Sequence, residues 1–216
     1  MSATRSICVF SGSSFGRDPV YAEAARALAL ELVGRRLRLV YGGASVGLMG
    51  VLADTVLASG GEVVGVIPQH LVDKEIAHPG LSDLRITGSM HERKMLMADL
   101  ADGFVALPGG FGTLEEFAEV VTWTQLGLQH KPCGLLDVGG YYARLLAFVD
   151  HATDEGFVPV AHRRLVLSDD DPGRLLNALD AWVPPATDKW SGDRGELPSS
   201  RAAATSGPGP GRPDGR

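Results

Sequence analysis

Apolar positions alternate between two rhythms along the chain up to about residue 183. Short continuous apolar runs read as buried strands: Ser6–Phe10, Leu37–Tyr41, Glu62–Ile67, Phe104–Leu107, Cys133–Leu136 and Leu165–Leu167, with Leu84–Thr87 a further short one. Between them lie segments with apolar residues at helical spacing: Pro19–Leu32, Val46–Ala58, His91–Ala101, Thr113–Leu126, Tyr142–Asp154 and Pro172–Trp182. The apolar side of His91–Ala101 is expected to carry Met95, Leu96 and Leu100. Residues 69–83 are mixed, with a turn at Pro79-Gly80.

Strand–helix alternation at this spacing predicts an α/β fold, a mostly parallel sheet with helices on both faces, in a single domain spanning residues 1–183. Three predicted strands end in glycine- or serine-rich turns, Ser11–Ser14, Gly42-Gly43 and Gly109–Gly112. In a parallel sheet such turns emerge at one edge, where ligands bind. Residues 184–216, rich in Pro, Gly, Ser, Arg and Asp, cannot bury enough surface to offset ordering entropy and are expected to be a disordered tail, with Trp190 its one anchor.

The chain has 216 residues, 44% of them apolar, enough for a sizeable core, and a formal net charge of −6. The acidic balance argues against non-specific nucleic-acid binding but leaves room for a small anion at a local positive site. No apolar run reaches the ~18 residues of a membrane span, and Met1–Arg5 is followed by a strand-like run rather than a signal-peptide core. A cytoplasmic protein without membrane contact is the expectation. Cys8 and Cys133 sit in apolar runs and read as buried thiols. The six histidines show no ligand spacing, so no metal site is expected.

The chemistry concentrates where Phe104–Glu116 reads strand, glycine turn, helix: Pro108-Gly109-Gly110-Phe111-Gly112-Thr113. A helix N-terminus offers unpaired amides and partial positive charge, and glycines let an anion approach the backbone. Neither a Walker ending nor G-x-G-x-x-G is present, and a tight turn packing helix on strand would give the same pattern. Thr113 and Glu116 also fit a capping box, so Glu116 either caps its helix or does chemistry. Arg93 and Lys94 fall at the start of another helix, where cations oppose the macrodipole, which points to ligand-facing charges against the alternative of a solvated face. Met49 is either core or an apolar wall for a base.

At these residues the sequence resembles the Lonely Guy family of cytokinin riboside 5′-monophosphate phosphoribohydrolases, long mislabelled as lysine decarboxylases. Its P-G-G-x-G-T-x-x-E motif stands here as Pro108 to Glu116, and a second element as Met90-His91-Glu92-Arg93-Lys94. Tyr41–Gly50, Gly65–Pro68 and Thr122–Gly127 also match, so the resemblance covers roughly residues 5–183. It implies a Rossmann-like fold, a homodimer with active sites near the subunit interface, no cofactor, and hydrolysis of the N-glycosidic bond of adenosine-type 5′-monophosphates, with or without an N6 substituent. It places catalysis on Arg93 and Glu116, and substrate contacts on Lys94, Gly109, Gly110, Phe111, Gly112, Thr113, Leu114, Glu115 and Glu75. Two other readings stay open: a non-catalytic nucleoside monophosphate-binding module, and a pyridoxal phosphate decarboxylase. The second needs a Schiff-base lysine, and lysine occurs only at Lys74, Lys94, Lys131 and Lys189.

Overall fold

The computed structural model describes residues 5–74 and 76–184. Seven strands form one fully parallel sheet in the order β4-β3-β2-β1-β5-β6-β7. They are β1 (Ser6–Phe10), β2 (Arg38–Tyr41), β3 (Val63–Pro68), β4 (Asp83–Thr87), β5 (Gly103–Ala106), β6 (Cys133–Leu136) and β7 (Val166–Asp169). The helices are α1 (Val20–Gly34), α2 (Gly47–Ala58), α3 (Gln69–Val72), α4 (Met90–Leu100), α5 (Phe111–Gln125), α6 (Ala143–Asp154), α7 (Val160–Arg163) and α8 (Pro172–Asp180).

The two-residue period of an extended chain splits each central strand between two cores. Ile7, Val9, Leu39, Tyr41 and Val105 point to one face, where they meet Leu28 and Leu32 of α1, Leu48 and Leu52 of α2, and Leu175 of α8. Cys8, Phe10, Val40, Phe104 and Ala106 point to the other, against Met97 of α4 and Phe117 and Val120 of α5. Both faces are therefore covered, which is why the strands read as unbroken apolar runs rather than as alternation. The expected α/β, Rossmann-like single-domain fold is the one observed. Cys8 and Cys133 are buried and unpaired, as their neighbours suggested.

Two local expectations need correcting. Met95 is half exposed, and α4 instead buries Arg93, Met97 and Ala98, with Leu96 and Leu100 partly covered. Arg93 and Met97 lie four residues apart, so turning the pair inward carries Met95 out. Secondly, α5 begins at Phe111 rather than Thr113, with Gly110 as its N-cap and no side chain capping it. The expected box at Thr113 and Glu116 is not formed. A related cap lies on α4, where Ser89 Oγ at the N-cap accepts the Glu92 amide at 3.1 Å and Glu92 Oε2 reaches one residue past the N-cap to accept the Gly88 amide at 2.8 Å. Glu75 and the tail from residue 185, Trp190 included, lie outside the described residues. No helix among the described residues is long and apolar enough to cross a membrane.

Candidate active site

Strand order reverses between β1 and β5, because the chain builds outward from β1 to β4 and then returns to β1's other side. The turns after those two strands have no sheet neighbour between them and meet as a crevice. They are stitched together: the Gly12 amide donates to the Pro108 carbonyl at 3.1 Å, and the Leu48 amide to the Gly12 carbonyl at 3.0 Å. A cleft of about 420 Å³ opens there. Its lining includes Ser11–Ser13, Gly42 and Gly110–Thr113, with Arg93 and Glu116 inside and an apolar wall of Ala44, Val46, Met49, Leu71 and Ile76. The three turns expected to converge do so.

The glycines of the turn do different work. A Cβ on Gly109 would fall 2.1 Å from Thr113 Oγ1 and 2.9 Å from the Gly12 nitrogen, so packing alone demands glycine there. A Cβ on Gly110 or Gly112 would meet nothing within 4 Å. Packing does not require glycine at those two positions. What small size does provide there is close access to the first amides of α5, which have no intrahelical partner and no capping side chain. An anion is the natural acceptor for them.

One turn further along α5, Glu116 forms a buried ion pair with Arg93, Nη1 to Oε1 at 3.1 Å, each residue only 8% exposed. The guanidinium is fixed from a second side, since its Nε donates to the Val66 carbonyl at 3.0 Å. Gly42 leaves it room: a Cβ there would lie 2.2 Å from Nη2. Burial pushes the Glu116 carboxyl above the usual glutamate range, and Arg93 pulls the other way. Burial, then the Glu116 charge, pushes the Cys8 thiol well up, which keeps it inert.

The remaining site candidates are placed as follows. Met49, Phe111 and Thr113 line the cleft with Gly110 and Gly112; Phe111 is 92% exposed. Lys94 is not part of the lining. It bridges α4 to α5, paired with Glu115 and with Glu119 at 3.0 Å. Burial alone would lower its pKa, but these two carboxylates outweigh that and raise it. Leu114 packs against the core beneath α5. Four features were not foreseen: the clearance at Gly42, the Val66 carbonyl, the Leu71 and Ile76 wall, and the phenols of Tyr141 and Tyr142, which bond the backbone of Gly109 in the glycine turn and of Leu107 just before it. Only Tyr142 left a trace in the sequence, because a buried phenol needs a partner.

An anion seat beside a buried carboxylate and a guanidinium can bind a phosphorylated ligand and stabilise positive charge on it. Among the described residues no lysine lines the cleft.

The profile of a family described as "possible lysine decarboxylase" matches residues 49–179. A probable cytokinin riboside 5′-monophosphate phosphoribohydrolase of Oryza sativa subsp. japonica is 53% identical over 83% of this chain and 79% of its own length. A cytokinin riboside 5′-monophosphate phosphoribohydrolase of Arabidopsis thaliana is 51% identical over 82% of each. Among solved structures, a molybdenum cofactor binding protein of Rippkaea orientalis superposes with a TM-score of 0.63 at 20% identity, over 83% of this chain and 98% of its own, which speaks to the fold alone.

Proposed function

Because the chain belongs to the Lonely Guy family of cytokinin riboside 5′-monophosphate phosphoribohydrolases, we propose that it hydrolyses the N-glycosidic bond of adenosine-type 5′-monophosphates, with or without an N6 substituent. The products are the free base and ribose 5-phosphate. The observation that carries this reading is the buried Arg93–Glu116 pair, held in the cleft one helical turn beyond the uncapped start of α5.

In this mechanism the 5′-phosphate sits on the α5 amides and supplies binding energy remote from the reacting bond. Cleavage builds oxocarbenium character at C1′. The Glu116 carboxylate stabilises that charge and orients or deprotonates the attacking water, whose oxygen bonds to C1′ as the base leaves with the bond pair and takes up a proton. Arg93 opposes the effect of burial on the Glu116 carboxylate and fixes it in position. The apolar wall around Met49 and Ile76 suits a purine and an apolar N6 group. Decarboxylation through a lysine Schiff base finds no support in the cleft, since Lys94 is engaged by two carboxylates outside it.

The same reading includes a homodimer. Met90 and Met95 of α4 and Phe111 of α5 are exposed apolar side chains beside the cleft helices, and a second copy would cover them. Sedimentation at twice the monomer mass is the expected result.

The test is a panel of nucleoside monophosphates, plain and N6-prenylated, scored for ribose 5-phosphate. Release by the wild type, together with AMP binding but no turnover by E116A, is expected. AMP binding without release by the wild type would leave a nucleotide-binding module instead.

A further inference from the structure

Two adjacent phenols hold the glycine turn and the residue before it from outside the cleft. After β6 the chain makes a short 3-10 turn, Val138–Gly140, in which Gly139 and Gly140 have φ of 59° and 72°. The turn delivers Tyr141 and Tyr142 together, their rings edge to face with centroids 5.0 Å apart. The buried Tyr142 donates its hydroxyl to the Leu107 carbonyl at 2.7 Å. Tyr141 donates to the Gly109 carbonyl at 2.6 Å and packs edge-on against Tyr21, centroids 5.8 Å apart. Tyr141 stands in a separate hollow of about 290 Å³, which shares Gly12, Ser13 and Gly110 with the cleft but not Arg93 or Glu116. The turn thus has two sides, with Tyr141 on one and the catalytic pair on the other.

A trans peptide carries its C=O and N–H on opposite sides, and no cis peptide is found among the described residues. The Gly109 carbonyl and the Gly110 amide belong to one peptide, so drawing the carbonyl toward Tyr141 turns the amide away from it. We propose that Tyr141 is a positioning residue for the phosphate seat: its hydroxyl locks the Gly109–Gly110 peptide so that the Gly110 amide faces the anion in the cleft. Between two glycines this plane would otherwise turn easily, and no side chain at Gly110 restrains it. Tyr142 makes the same kind of bond two peptides earlier but cannot have the same effect. The residue after Leu107 is Pro108, which has no N–H to aim. This inference rests on the phosphate being read in the cleft.

The test compares Y141F and Y142F with the wild type, measuring kcat and KM for AMP and inhibition by ribose 5-phosphate and by adenosine. Tyr141 is 44% exposed, so the ring without its hydroxyl leaves the fold intact. For Y141F, KM for AMP and Ki for ribose 5-phosphate rise together by about threefold to tenfold, the misalignment rather than the full loss of one amide–phosphate contact. Its kcat and its Ki for adenosine stay at wild-type values. Y142F loses thermal stability with both constants unchanged. A wild-type Ki for ribose 5-phosphate in Y141F would overturn the proposal, as would equal shifts in Y141F and Y142F. If ribose 5-phosphate fails to inhibit even the wild type, the phosphate reading falls and takes the tyrosine's role with it.

Discussion

Glu116 is where the physics of a single residue decides most. Burial raises its pKa, and the Arg93 guanidinium only partly offsets that. Catalysis in the proposed mechanism needs the carboxylate, so activity is lost as pH falls through the raised value. The acidic limb of kcat should therefore lie above the ordinary glutamate pKa of roughly 4.3. Folding linkage has the opposite sense: a raised folded-state pKa means the native state binds the proton more tightly, so this group's contribution to stability declines as pH rises through the same window. A pH–rate profile with its acidic limb at or below the free glutamate value would refute the assignment. The glycine turn and the Arg93 and Glu116 candidates were legible beforehand because their chemistry is local. Their setting was not. Ser89–Glu92 and Thr113–Glu116 fit the capping pattern equally well in one dimension, and the second is ruled out because α5 starts two residues earlier, at Phe111, which puts Thr113 inside the helix.

At the scale of elements, α4 is the part that aims Arg93. Its N-terminus is fixed by the Ser89 and Glu92 bonds, and its inward face presents Arg93 and Met97 to β3 and the core. S89A removes one cap acceptor, with an expected cost of about 1 kcal/mol in urea unfolding. A loosened first turn should also lower kcat on AMP, whereas unchanged stability and turnover would mean that packing alone sets the helix. Strands and helices were readable from their rhythm. The orientation of α4 was not, because an apolar-stripe argument assigns the inward face to Met95 and has no place for a buried arginine.

For the whole molecule, alternation of the two rhythms already implied parallel strands covered on both faces. The strand order was not recoverable in the same way. It depends on which edge each crossover returns to, and that is set by contacts far apart in the chain. The order matters because it places the reversal between β1 and β5, bringing the serine- and glycine-rich turn after β1 against the glycine turn after β5. It also sets α4 and α5 side by side, so that Arg93 from one reaches Glu116 from the other.

A crystal structure of E116Q with AMP addresses this arrangement most directly. The account predicts the 5′-phosphate within hydrogen-bonding distance of the amides of residues 110–113, with the side chain at position 116 facing C1′ of the ribose. Phosphate bound elsewhere, or a ribose turned away from position 116, would contradict it.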